Sequence, residues 1–144
     1  MSATVDVNIL LYASDRASSL HERARAEVER RAEGPEPLYL FWPVTVGYLR
    51  IATHPAIFER PLSLSDAARN IERLLGRRHV RAPGEDDGFW RTFAATAAEA
   101  SARGNLVSDA HLAALMRQYG VRTIVSRDRD FRRFDGIDVH DPFT

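Results

Sequence analysis

The stretch Ala3-Thr4-Val5-Asp6-Val7-Asn8-Ile9-Leu10-Leu11-Tyr12-Ala13 reads as a short buried strand over residues 3–7 running straight into an apolar turn of helix over 8–13. Asn8 is the expected N-cap. A strand-to-helix junction this early sets the pattern for the rest of the chain. The charged run 21–33, with Ala and Val at helical spacing, predicts a solvated helix stopped by Gly34-Pro35. Residues 38–42 form a continuous apolar and aromatic run, the mark of a second buried strand. Further helices are expected from Pro43 to about Thr53, from a cap at Ser63 or Ser65 through Leu75, from Asp86 or Asp87 through Ala102, and from Asn105 to Tyr119. Short strands are expected at 79–81, 123–125 and 137–139. Strands alternating with helices imply an α/β fold, a three-layer α/β/α sandwich on a mainly parallel sheet, in a single domain spanning 1–144.

Composition narrows the chemistry. With 144 residues and 44% apolar content, the chain is long enough to bury a real core. Cysteine is absent, which excludes thiolate nucleophiles, disulfides and Cys-based metal sites. The five His are scattered at 21, 54, 79, 111 and 140, so no zinc-type ligand pair forms in sequence. His54 and His111 are expected in structural roles, and Trp42 and Trp90 in the core. No apolar run approaches the roughly 18 residues of a membrane span, and no leader pattern opens the chain, so a cytoplasmic protein without a membrane partner is expected. The 20 basic residues, all Arg, balance 20 acidic ones. Nucleic-acid binding would therefore need a local patch rather than overall attraction.

The informative residues are acids at the ends of predicted strands and the starts of helices: Asp6, Asp109 in Ser108-Asp109-Ala110, and Asp128 and Asp130 in Ser126-Arg127-Asp128-Arg129-Asp130. Singly, such acids often cap helices or build turns. Together at one rim of a parallel sheet they repel one another, and a divalent cation is the simplest thing that makes the clustering favourable. Hard carboxylate oxygens suit Mg2+, with Mn2+ as a substitute.

These segments resemble the PIN-domain nucleases, and within them the VapC toxins of bacterial toxin–antitoxin pairs. Residues 5–13 are similar to the family's first-acid motif. Tyr48-Leu49-Arg50-Ile51-Ala52-Thr53-His54-Pro55 is similar to a segment of one VapC branch, Asn105–Ala110 to the third-acid motif, and Ser126–Phe131 to the fourth. The resemblance implies a metal-dependent endoribonuclease in which Asp6, Asp109 and Asp128, with Asp130 a further ligand, hold one or two ions that activate water. Asn8 and Ser126 would orient the ligands. It also implies an RNA substrate, a cognate VapB-like antitoxin that inserts a segment into the active-site groove, and a homodimer. One position departs from the family pattern: the usual second acid, a Glu just before the Leu-Arg pair, falls on Gly47 or Tyr48. A PIN fold weakened in catalysis and kept for RNA or protein binding is the rival reading.

Arg122, Arg127, Arg129, Arg132 and Arg133 gather beside the fourth acid, where they either draw in an RNA backbone or pair internally with Asp128, Asp130 and Asp135. Arg50 points either to substrate or partner or into a helix-surface ion pair. Asp130 is either a ligand or a partner of Arg129 or Arg133. Phosphotransfer folds that carry an Asp after the first strand normally use a Lys, which this chain lacks. Neither glycine-rich phosphate loops nor a GxSxG elbow occurs.

Overall fold

The computed structural model describes residues 1–144. The chain runs β1 (Ala3–Val5), α1 (Val7–Ser14), α2 (His21–Glu33), β2 (Leu38–Tyr39), α3 (Trp42–Ala52), α4 (Leu64–Leu75), β3 (Val80–Arg81), α5 (Phe89–Glu99), α6 (Asn105–Gln118), β4 (Thr123–Val125), a 3-10 turn (Arg129–Arg133) and β5 (Asp138–His140). The five strands form one sheet in the order β3-β2-β1-β4-β5, and every pairing is parallel. Thr4 sits opposite both Tyr39 and Ile124, and Ile124 opposite Val139.

The order reverses direction at β1. From there the chain steps outward through β2 to β3, then crosses back to β4 and β5. Right-handed crossovers therefore put α1 to α4 on one face and α5 with α6 on the other. The helix contacts agree: α1 packs on α2 and α3, α3 on α4, and α5 on α6. This is the expected three-layer α/β/α sandwich, with its switch point between β1 and β4.

The core is sealed by residues with no measurable exposure, among them Val5, Leu38, Ile124 and Val125 on the strands, Leu115 on α6, and Leu40 and Phe41 between β2 and α3. Truncating one such Leu or Ile to Ala typically costs about 2–5 kcal/mol. Two polar groups inside are satisfied. The buried Thr4 hydroxyl donates to the Tyr39 carbonyl at 2.8 Å, and Glu27 accepts from Arg30 and Arg31 at 2.7 and 2.9 Å. Gly34 is required twice over, by φ of +76° and because the His79 ring occupies the space a Cβ would take.

The strands are shorter than their apolar runs. β1 stops at Val5, and pairing in β2 stops at Tyr39, although Leu40 and Phe41 stay fully buried. Trp42 already belongs to α3, with Pro43 in its first turn where a missing N–H costs nothing. The first helix is capped by Asp6 rather than Asn8, and α4 by Ser63, whose side chain accepts from Asp66 N–H at 3.0 Å. α5 spans Phe89–Glu99, shorter at both ends than expected, and the last strand begins at Asp138. The two tryptophans are not core residues: Trp42 is 41% and Trp90 75% exposed. Phe89 and Phe93, four apart on α5, pack against His111, which turns the intervening Trp90 outward. No helix is long and apolar enough to cross a membrane.

Candidate functional site

At the switch point, the carboxyl ends of β1 and β4 meet, the place where open parallel sheets leave a crevice. Asp6 follows β1 directly. Its backbone N–H donates to the Val125 carbonyl at 3.0 Å, which ties it to β4, and its Oδ1 accepts from Val7 N–H at 2.7 Å to start α1. The cap sits two residues earlier than Asn8 because Asp6 is the last extended residue, at φ −79° and ψ 157°. Asn8 lies exposed on the first turn of α1 and its side chain makes no hydrogen bond.

Ser126, fully buried at the end of β4, links the acids. Its hydroxyl donates to Asp6 Oδ2 at 2.9 Å and accepts from Asp128 N–H at 2.9 Å. Its own N–H donates to the His140 carbonyl at 3.0 Å, which anchors the loop to β5. Asp128 Oδ1 then accepts from Asp130 N–H at 2.9 Å, opening the 3-10 turn that stands where the sequence reads as loop. Asp109 enters from the opposite layer, one turn into α6, half-buried beside the fully buried Ala110.

Asp109, Asp128 and Asp130 each present an oxygen within 4.8 Å of the others. The Asp6 carboxylate stands beside this group, engaged with Val7 and Ser126. Burial, and then the negative charges of Asp128, Asp6 and Asp130, push the Asp109 carboxyl up to about 7. Burial also raises Asp6; hydrogen bonds from Ser126 and the Val7 N–H oppose that rise, and the Asp128 charge adds to it. Four carboxylates thus share a small space, and at Asp6 and Asp109 the charged form is disfavoured. An all-oxygen donor set of this kind fits a hard divalent cation.

Gly47, on α3, belongs to the same rim. A Cβ built there would meet only Val7 Cγ2, at 3.6 Å, so the position that the family pattern gives to a second acid lies beside the start of α1 and has room. Of the arginines near the cluster, Arg133 approaches Asp130 at 3.8 Å. Asp130 is accordingly both a member of the cluster and an ion-pair partner. The Arg127 guanidinium lies 5.6 Å over the Phe143 ring, while Arg129 and Arg132 are exposed and form no ion pair. Arg50 is likewise exposed and unpaired on the last turn of α3, so the helix-surface ion pair does not form. Phe143 also packs edge-on against Tyr12 at 5.8 Å and accepts at its carbonyl from Arg23. Nothing in the sequence marks it, because a lone Phe near the end of the chain carries no signal.

The PIN domain family model matches residues 3–137. Ribonuclease VapC48 of Mycobacterium tuberculosis strain H37Rv is 51% identical over 144 residues, covering 100% of this chain and 99% of that protein. Among solved structures, VapBC2 from Rickettsia felis, bound to a DNA fragment from its promoter, superposes with a TM-score of 0.71 at 13% identity over 97% of this chain and 98% of that one. A toxin–antitoxin complex from Klebsiella pneumoniae superposes with a TM-score of 0.65 at 17% identity, over 97% of each chain. A sheet reversing between β1 and β4, acids gathered at that point, and a half-identical relative matched from end to end lead to one assignment: this chain belongs to the PIN-domain family, in its VapC branch.

Proposed function

We propose that the protein is the toxin of a toxin–antitoxin pair, an endoribonuclease that hydrolyses RNA phosphodiester bonds with Mg2+, or Mn2+ in its place. The observation that carries the reading is the convergence of Asp109, Asp128 and Asp130 within 4.8 Å, beside Asp6, in a chain half identical to a protein named as a ribonuclease. Asp6, Asp109 and Asp128 are the catalytic acids, and together with Asp130 they hold the ion. A bound divalent ion would supply positive charge to the phosphate oxygens and acidify the attacking water.

The remaining roles fall to the chain itself. Ser126 fixes Asp6 through one hydrogen bond and the Asp128 backbone through another, so two ligands are oriented by one buried hydroxyl. Asp109 is delivered on a rigid helix from the opposite layer, which makes the distance between α6 and the β4 loop part of the site. Arg129 and Arg132, unpaired beside the acids, offer guanidinium groups to the RNA backbone, and Arg50 does so from α3. Arg127 is a weaker candidate, since its guanidinium already stacks on Phe143. Asn8, exposed next to Asp6, is left to contact substrate rather than to orient a ligand.

The partner is a VapB-like antitoxin protein, supported by the likeness to solved toxin–antitoxin complexes, and the toxin is proposed to act as a homodimer. One observation favours a second reading. Gly47 stands where the family's second acid would complete the pocket, which suits a PIN fold weakened in catalysis and kept to bind RNA or protein.

Cleavage of total bacterial RNA by purified protein decides between them. The experiment runs with Mg2+ or Mn2+, with a chelator control and with an Asp109→Ala variant. Discrete fragments that require both metal and Asp109 support the nuclease. Intact RNA with either ion, from protein shown to be folded, supports the binding module.

A further inference from the structure

The loop that carries two of the rim acids is fixed at both ends by buried side chains, Ser126 before it and Phe131 after it. Residues 127–130 between them are exposed or half-buried. Asp130 pairs only with Arg133 of its own turn, and Asp128 Oδ1 accepts only from the Asp130 N–H. Arg127 is the residue of this stretch that reaches another element attractively. It forms no ion pair, and its guanidinium lies 5.6 Å over the half-buried Phe143 ring. That ring is itself well held. Tyr12 of α1 packs on it edge-on at 5.8 Å, the Phe143 carbonyl accepts from Arg23 of α2 at 2.9 Å, and the Phe143 N–H donates to Asp141 Oδ1 at 2.9 Å. Three residues upstream, the His140 carbonyl accepts from the Ser126 N–H at 3.0 Å. Residues 140–143 thus grip the start of the acidic loop at Ser126 and Arg127, and rest on α1 and α2 behind it.

We propose that Phe143 is a positioning residue for the acidic rim: through Arg127 it holds the loop bearing Asp128 and Asp130 against α1 and α2. What that position serves, holding a divalent ion for RNA cleavage, rests on the ribonuclease reading above. The loop needs such a hold. Its two carboxylates face Asp109 within 4.8 Å, and like charges at that range push the loop away from α6. A guanidinium one residue before Asp128, seated on a ring that is anchored elsewhere, opposes that push without bringing its own charge among the acids. The same seat takes Arg127 out of use as a phosphate contact. A cation over a ring at a partly exposed site is worth about two- to fivefold in a local equilibrium.

The test compares Phe143→Leu, Phe143→Tyr, Arg127→Gln and the double variant Phe143→Leu with Arg127→Gln. Amide hydrogen exchange is read first, with chelator present, at the Asp128 and Asp130 N–H groups, both of which are hydrogen-bonded within the loop. It should quicken by about two- to fivefold in Phe143→Leu and in Arg127→Gln, stay at the parent rate in Phe143→Tyr, and be no faster in the double variant than in either single one. The N–H of Leu115, in the core of α6, should exchange as in the parent. Calorimetric titration should then show Mn2+ affinity lowered by a similar factor, and RNA cleavage a lower kcat at unchanged KM. Equal acceleration at Leu115 and in the loop would overturn the proposal, because Phe143 would then support only the fold. Unchanged exchange at Asp128 and Asp130 would also overturn it, as would additive losses in the double variant. A raised KM with unchanged exchange would make Arg127 an RNA contact instead. The two readings fail separately: if the parent neither binds Mn2+ nor cleaves RNA, the nuclease assignment falls, while exchange in the loop still decides whether Phe143 holds it.

Discussion

Two acids drawn partly or wholly out of solvent, Glu27 and Asp109, meet opposite fates in this molecule. On α2, Glu27 is 8% exposed, yet it accepts from Arg30 and Arg31 and lies 3.6 Å from His140 Nε2. Burial alone would raise its carboxyl, and the hydrogen bonds from Arg30 and Arg31 bring it below the usual glutamate value instead. At the rim, Asp109 is driven up to about 7 by burial and by three neighbouring acids, with no arginine in contact. The same chain thus neutralises Glu27 with its own cations and leaves Asp6, Asp109 and Asp128 without an arginine partner, Arg133 reaching only the outermost acid, Asp130. A fold rich in arginine that brings none to Asp6, Asp109 or Asp128 leaves a cluster whose repulsion a divalent ion could relieve.

The largest expected effect comes from removing the crowding. Asp109→Asn should lower metal affinity, read by calorimetric titration with Mn2+, by more than about 100-fold, beyond what loss of an orienting partner costs. In chelator the same variant should unfold at a higher temperature than the parent at neutral pH. The sign follows from linkage. The Asp109 carboxyl titrates higher in the folded state than at its unfolded value of 3.8, so the folded state holds the extra proton between about pH 4 and 7. Parent stability in chelator should fall as pH rises through that window, and Asp109→Asn should flatten the fall. A parent profile equally flat in this range would mean that the carboxylates are not crowded in solution.

Glu27→Gln is the counterpart, with a loss of about 2 kcal/mol for a charged hydrogen-bond acceptor that held two arginines. Its pH signature is reversed. A carboxyl depressed in the folded state contributes stability above 4.5 that disappears as pH falls through its lowered folded value, so acid should unfold the parent more steeply than the variant. Chemical denaturation at pH 7 and pH 3 reads both. Metal affinity should be unchanged, and any change there would mean that the two groups are coupled through β5.

The contrast was half legible in the sequence. Asp6, Asp109 and Asp128 could be read as rim acids because each sits where an apolar run breaks, and the alternation of elements placed those breaks at one edge. The partners of Glu27 could be read from helical spacing, since Arg30 and Arg31 follow at three and four residues. What a linear reading misses is which acid approaches which. Asp6 spends one oxygen on Val7 and the other on Ser126, so the tightest set is Asp109, Asp128 and Asp130 instead. That distinction depends on a 3-10 turn that a loop-like sequence does not announce. The exposed Trp42 and Trp90 escaped for a related reason: apolar type was read as burial, whereas Trp90 sits off the line of Phe89 and Phe93 that faces α6.

Ser126→Ala tests whether the rim is held in place as Glu27 is. The hydroxyl is its only side-chain link to Asp6 and to the Asp128 N–H, and both would lose a partner without any change in charge. Mn2+ affinity should fall by about tenfold, with Ser126→Thr restoring it in part. An unaffected affinity would show that the ion is held by Asp109, Asp128 and Asp130 alone.

The smallest effect belongs to Gly47, and it bears most directly on why the rim is short of ligands. Nothing in the backbone demands glycine there: the residue lies inside α3, and a Cβ would touch only Val7 Cγ2 at an ordinary 3.6 Å. Gly47→Ala should therefore stabilise the fold by about 0.5–1 kcal/mol, the usual gain for replacing glycine within a helix. Gly47→Glu shares that gain but brings a further carboxylate toward Asp6. In chelator the added repulsion should offset the helix gain, and with Mn2+ the variant should bind more tightly than Gly47→Ala and unfold at a higher temperature. Because the alanine variant carries the helix contribution alone, the difference between the two isolates what a further acid does at this rim. If Gly47→Glu binds Mn2+ more weakly than Gly47→Ala, the space beside Asp6 is not a place for a ligand, and the ion belongs wholly to the Asp109, Asp128 and Asp130 side.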